Sequence, residues 1–135
     1  MPTVLDASAA VRLVFPDEPT PDGLIDIIAE GENVVPAIWL YEVANAVAIG
    51  RRVGRFDDDT AARIVAQFAA LPSQVQPFAP SHVLDEVLPL ALETGLTTYD
   101  AAYLALAVRR GLPLLTLDAR LRDAARARGI EVLPV

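Results

Sequence analysis

The chain alternates short apolar runs with longer stretches of helical period, and this alternation restricts its fold more than any other feature. Thr3–Leu5, Asn33–Val35, Gln74–Pro77, Leu114–Leu117 and Ile130–Leu133 read as strands, short and bounded by turn-forming residues. Between them, Asp6–Val14, Pro21–Glu30, Pro36–Val53, Thr60–Leu71, Ser81–Thr94, Asp100–Arg110 and Ala119–Arg128 read as helices. Proline and glycine punctuate them. Pro16 and Pro72 end helices, Pro89 predicts a kink, and Gly95, Gly111 and Gly129 stand at helix C-termini. Pro77 cannot donate to a ladder, so its strand belongs near an edge. Strands that alternate with helices predict an α/β protein with a mainly parallel sheet. No repeat, low-complexity tract or linker interrupts residues 1–135, which read as a single domain.

What the chain lacks narrows its chemistry. It has no cysteine, which excludes thiol nucleophiles, cysteine zinc sites and disulfide scaffolds. It has one histidine, His82, which reads as a helix-surface group, so one chain cannot build a multi-histidine metal site. All 11 basic side chains are arginine, which removes lysine-dependent phosphate and Schiff-base chemistry. The net charge of −7 is unlike that of a protein that coats DNA. The N-terminus has no basic region ahead of an apolar one, and no apolar stretch has the length of a membrane span, so a cytoplasmic protein is expected.

Carboxylates remain. Of the 18 acids, most sit in loops or on polar helix faces, but four have apolar flanks. Asp6 follows Val4-Leu5, Glu42 is the single charge in PAIWLYEVANAVAIG, Asp100 the single charge in GLTTYDAAYLALAV, and Asp118 ends PLLTLD. Asp6, Asp100 and Asp118 each precede or open a helix, so each has an alternative reading as an N-cap. Glu42 has an alternative reading as the partner of an arginine such as Arg12. As a set they suggest more. Asp6 and Asp118 lie past the ends of strands, at the edge of a parallel sheet where ligands bind. Four converging carboxylates repel one another unless a hard cation such as Mg²⁺ or Mn²⁺ joins them.

Ser8 and Thr116, each two residues from an acid, are placed to support it, and Asn45 stands one helical turn after Glu42. Arg51, Arg52, Arg55, Arg109, Arg110, Arg120, Arg122, Arg126 and Arg128 are candidate RNA contacts as well as ordinary helix-end charges. The helices 36–53 and 60–71 are apolar over more than one face. With Trp39, Tyr41, Phe56 and Phe68 they predict a surface that packs against a second subunit or a partner helix.

VLDASA, PAIWLYEVANAV, TTYDAAYLALA and LLTLDARL, in that order, resemble the four acidic motifs of PIN-domain ribonucleases, and the length and motif order resemble the VapC toxins of bacterial toxin–antitoxin pairs. The resemblance runs from Val4 to Val132. It implies a PIN-like three-layer α/β/α sandwich and an acidic quartet of Asp6, Glu42, Asp100 and Asp118 as catalytic and metal-binding residues. It also implies Mg²⁺-dependent endonuclease cleavage of RNA, with Mn²⁺ able to substitute. A homodimer and inhibition by a VapB-type antitoxin follow from it, the antitoxin rather than this chain contacting DNA. A carboxylate-held metal lowers the pKa of a bound water and neutralises charge on phosphate, so in-line attack would leave a 3′-hydroxyl and a 5′-phosphate. The competing readings are a PIN-like nuclease with a housekeeping role and no antitoxin, and a catalytically silent module that keeps the fold for protein contacts.

Overall fold

The computed structural model describes residues 2–135. Strand β1 (Pro2–Leu5) leads into α1 (Ala7–Val14) and α2 (Leu24–Glu30), then β2 (Glu32–Pro36), α3 (Ile38–Arg52), α4 (Asp58–Ala70) and β3 (Ser73–Gln76). A short α5 (Pro80–His82), a π-helical turn at Val83–Val87 and α6 (Leu88–Thr94) precede the long α7 (Thr98–Arg110), and β4 (Leu114–Leu115), α8 (Ala119–Ala127) and β5 (Val132–Leu133) complete the chain.

The five strands form one sheet in the order β3-β2-β1-β4-β5, and every neighbouring pair is parallel. Parallel neighbours need crossovers, and the right-handed sense of those crossovers places α1–α4 on one face and α5–α8 on the other. This is the three-layer arrangement expected from the alternation of elements. β3 lies at an edge, as expected, although Pro77 falls just past its end rather than within it. The chain steps outward from β1 to β2 and β3, then returns to lay β4 on the other side of β1. The order of strands therefore reverses between β1 and β4, and the crevice beyond their C-terminal ends is the favoured ligand site of such sheets.

The core is built from this geometry. Val4, Leu5, Val34, Val35, Leu114 and Leu115 fill the middle of the sheet, each at 1% exposure or less. Burying a side chain of this size contributes roughly 1.5–3 kcal/mol. α7 packs against β1, β2 and β4 with α6 and α8 beside it, and buries every side chain from Ala101 to Ala107. That accounts for its composition: a helix covered on all sides is apolar on all sides. Its small alanines let the layers approach closely. On the opposite face Phe15 meets Phe56 edge-on at 5.5 Å, and Trp39 meets Phe68 edge-on at 6.2 Å.

Two expectations require correction. The aromatic area expected for a partner shrinks to Tyr41: Trp39, Phe56 and Phe68 are 2%, 8% and 7% exposed and hold α1, α3 and α4 together. Only Tyr41, at 76%, is open to solvent. Periodicity cannot separate a helix face turned toward a neighbouring helix from one turned toward a partner. The irregularity in the 80–94 helix lies one turn ahead of Pro89. Proline occupies the first turn of α6, where its missing N–H costs little, and the helix widens before it: the Leu88 N–H donates to the Val83 carbonyl, five residues back.

Among the described residues no helix is long and apolar enough to cross a membrane.

Candidate active site

The reversal point between β1 and β4 delivers two acids by construction. Asp6 is the residue after β1 and Asp118 stands at the head of α8, three residues past β4. Asp6 is 4% exposed, and burial pushes its carboxyl pKa up, against the hydroxyls of Ser8 and Thr116 that favour the ionised form. It occupies the N-cap position of α1 but its side chain does not cap the helix. Its Oδ2 instead accepts from Ser8 Oγ at 2.7 Å and from Thr116 Oγ1 at 2.6 Å. The same hydroxyls accept from the backbone N–H groups of Leu117 (3.1 Å, to Ser8) and Asp118 (3.1 Å, to Thr116). Ser8 and Thr116 both reach Asp6, in a network that ties the end of β1 to the segment entering α8. Both donors use one oxygen of Asp6, which leaves Oδ1 without a side-chain partner.

Asp118 caps α8, its Oδ1 accepting from the Leu121 N–H at 2.9 Å. Asp100 is not a cap. Thr97 caps α7 by accepting from the Asp100 N–H at 3.2 Å, and Asp100 sits in the first turn with its carboxylate free. Its pKa is raised by burial and by Asp6 and Asp118, while the Arg120 guanidinium acts in the opposite sense. Arg120 is held nearby through a 2.9 Å bond from Nη2 to the Gly95 carbonyl.

Glu42 comes from α3, on the other face of the sheet. It does not pair with Arg12, which binds Glu18 at 2.6 Å. Glu42 Oε1 accepts from Tyr103 Oη at 2.6 Å, a bond from α7 to α3 over the end of the sheet. Burial raises the Glu42 pKa, Tyr103 opposes this, and Asp6 and Asp100 raise it further. Mutual repulsion thus links Asp6 with Asp118, Glu42 with Asp6 and Asp100, and Asp100 with Asp118. Each of the four acids is thus linked to at least one other at this edge. Asn45 is exposed and hydrogen-bonds to none of them among the described residues.

Sequence reasoning missed Tyr103. A signal existed: it is three residues after Asp100, hence on the same helix face, and is the one polar side chain in AAYLALAV. Most arginines weighed as RNA contacts are engaged elsewhere. Arg51 pairs with Asp58, Arg55 with Asp17 and Glu18, Arg109 with Glu86, Arg126 with Asp123 and Arg128 with Glu93. Arg122 donates to the carbonyls of Thr116, Leu133 and Pro134 and so anchors the ends of β4 and β5.

The donor set is entirely oxygen: four carboxylates and two hydroxyls, at a place where anionic charge is under pressure. That chemistry fits a hard divalent cation, which takes oxygen ligands and, in the case of Mg²⁺, retains several waters. No three acidic side chains among the described residues are drawn together closely enough to enclose an ion by themselves.

The family model for the PIN domain matches residues 3–127. The chain belongs to the PIN-domain family. Ribonuclease VapC3 of Pyrobaculum aerophilum is 33% identical over 123 residues, covering 91% of this chain and 94% of that protein. The crystal structure of PAE2754, also from Pyrobaculum aerophilum, superposes with a TM-score of 0.75 at 30% identity, over 98% of this chain and 84% of that one. VapBC2 from Rickettsia felis, solved bound to a DNA fragment from its promoter, has the same fold, with a TM-score of 0.67 at 14% identity over 98% and 97% of the two chains. Within the PIN-domain family this chain is of the VapC type.

Proposed function

We propose that this VapC-type PIN domain is a metal-dependent endoribonuclease and the toxin of a toxin–antitoxin pair, acting in the cytoplasm. The observation that carries the reading is the convergence of Asp6, Glu42, Asp100 and Asp118 beyond the reversal point of the sheet, where three of them have pKa values raised by burial and by one another. A protein with no use for a cation gains nothing from that repulsion. Mg²⁺, with Mn²⁺ as a substitute, would supply neutralisation of the phosphate charge and acidification of water when bound.

The chain's own residues have separable roles. Asp6, clamped by Ser8 and Thr116 through Oδ2, would bind the cation through Oδ1. Glu42 and Asp100 bring carboxylates from the two helical layers. Asp118 adds a carboxylate while capping α8. Arg120 sets one positive charge beside Asp100, where an RNA phosphate approaching four acids needs it. Reaction by water leaves a 3′-hydroxyl and a 5′-phosphate, with no histidine required.

The partners that the reading carries are a VapB-type antitoxin and a second copy of the chain. Leu40, Tyr41, Ile49 and Val53 of the α3 region, each 48% exposed or more, supply apolar surface for them. The likeness to Ribonuclease VapC3, 33% identical over nearly all of both chains, supports the VapC assignment from which the antitoxin follows.

The test is RNA cleavage by the purified, antitoxin-free protein with Mg²⁺, with Mn²⁺ and with EDTA, beside Asp100→Asn prepared in parallel. Metal-dependent cuts bearing 5′-phosphate ends, absent in the variant, are expected. Cyclic 2′,3′-phosphate ends would exclude metal-assisted hydrolysis, and equal cutting by the variant would identify a contaminant. Light scattering at micromolar concentration checks the homodimer, which a strictly monomeric protein would contradict.

A further inference from the structure

Glu42 is the least constrained member of the quartet by its own backbone. It projects from the second turn of α3, has three side-chain torsions, and faces Asp6 and Asp100, which both repel it. Fixing such a side chain costs up to about 2 kcal/mol in rotamer freedom. Left to itself, a half-buried glutamate in this setting would turn to solvent or take up a proton. The structure supplies one restraint against both, and it comes from the opposite helical layer.

We propose that Tyr103 is a positioning residue, whose hydroxyl holds Glu42 Oε1 from α7 and leaves Oε2 free for a divalent cation at the acidic edge. The inference rests on the metal-dependent nuclease reading. Three observations support it. The Tyr103 Oη to Glu42 Oε1 distance is 2.6 Å, the length of a charge-assisted bond to an ionised carboxylate. Tyr103 is 0% exposed and lies within the packed face of α7, so the phenol cannot swing away. Glu42 has no other side-chain hydrogen-bond partner among the described residues, and no arginine is paired with it.

A buried tyrosine whose ring fills the core and whose hydroxyl meets its only polar neighbour could serve stability alone, so the test must separate the two roles. Tyr103→Phe keeps the ring and removes the donor. Two readouts are followed: the Mn²⁺ concentration at half-maximal RNA cleavage, and the Mn²⁺ concentration at half-maximal rise in Tm, which needs no turnover. Tyr103→Phe is expected to raise both midpoints about tenfold, the scale of losing a group that orients a metal ligand. The cleavage rate at saturating Mn²⁺ should change far less. In a Glu42→Ala background, Tyr103→Phe should shift neither midpoint, because the tyrosine acts through Glu42. Glu42→Asp, which withdraws the carboxylate from an intact Tyr103, should show the same weakened midpoints and little further change on adding Tyr103→Phe. If Tyr103→Phe by itself fails to fold, 4-fluorophenylalanine at position 103 fills the hydroxyl's volume without a donor, and the same two midpoints are read on that variant.

Unchanged midpoints in Tyr103→Phe, or equal shifts with and without Glu42, would overturn the proposal. Absence of cleavage by the wild type, with the Tm midpoints still following the cycle, would overturn the nuclease reading and leave the positioning role standing.

Discussion

Thr116 Oγ1 donates to Asp6 Oδ2 at 2.6 Å, from the strand segment that enters α8 to the carboxylate that ends β1. The threonine is fully buried and also accepts from the Asp118 N–H, so one hydroxyl serves the acids at the ends of both central strands. Thr116→Val keeps the shape and removes both bonds. It should destabilise the fold by roughly 1–3 kcal/mol, the cost of leaving buried polar groups unsatisfied, and reduce RNA cleavage by about 10–100-fold. Thr116→Ser should recover most of the activity. Chemical denaturation and initial cleavage rates check the two effects.

The dependence of stability on pH should carry opposite slopes on its two limbs. Asp6, Glu42 and Asp100 have pKa values raised in the folded state. The folded protein binds their protons more tightly than the unfolded chain, so their stabilising contribution is full below the ordinary carboxylate range and is lost as pH rises through the raised values. Asp17, Asp57 and Asp58 are lowered by Arg55, by the Thr60 N–H and by Arg51 respectively. Their contribution is present above the ordinary range and is lost as pH falls through the lowered values. In metal-free buffer the Tm should therefore rise as the pH falls from neutrality toward the ordinary carboxylate range, and fall again below that range. Asp100→Asn should raise the Tm at pH 7, flatten the neutral limb and leave the acid limb in place. Adding Mn²⁺ should raise the Tm of the wild type more than that of the variant. A Tm that falls steadily from pH 7 downward would contradict the account.

Gly50 is a close-approach residue of α3. A Cβ built on it would lie 2.6 Å from the Phe56 ring, which is itself packed edge-on against Phe15. Gly50→Ala would gain about 1 kcal/mol of helix propensity. Displacing a ring held at both ends costs more, roughly 1–3 kcal/mol. The variant should be less stable than the wild type by thermal or urea unfolding, with metal-dependent cleavage intact at low temperature.

The strands, their parallel arrangement and the position of Asp6 and Asp118 beyond strand ends were legible because each depends on local signals. Val4-Leu5 and Leu114-Leu115 are apolar runs that end in polar residues, and a lone charge such as Asp100 in an otherwise apolar helix has to be explained. Contacts between distant segments were not legible. That Arg12 takes Glu18, that Thr97 rather than Asp100 caps α7, and that Phe56 closes on Gly50 depend on how layers meet, and one sequence has no signal for that. Tyr103 lies between these cases. Its helix phase relative to Asp100 was visible, but its partner is 61 positions away on another layer.

Asp118 is the acid for which the plain and the catalytic explanations coincide, and substitution can divide them. Its Oδ1 accepts from the Leu121 N–H at 2.9 Å and so caps α8, the helix that carries Arg120 and Arg122. An asparagine side chain caps about as well as aspartate but brings no charge to a cation. Asp118→Asn should keep wild-type stability while cleavage falls by orders of magnitude. Asp118→Ala should lose cleavage and also about 1 kcal/mol of stability. If Asp118→Asn retains full cleavage, Asp118 is a cap alone, and the acidic site consists of Asp6, Glu42 and Asp100. Unfolding curves and metal-dependent cleavage measured on the same two preparations decide between these outcomes.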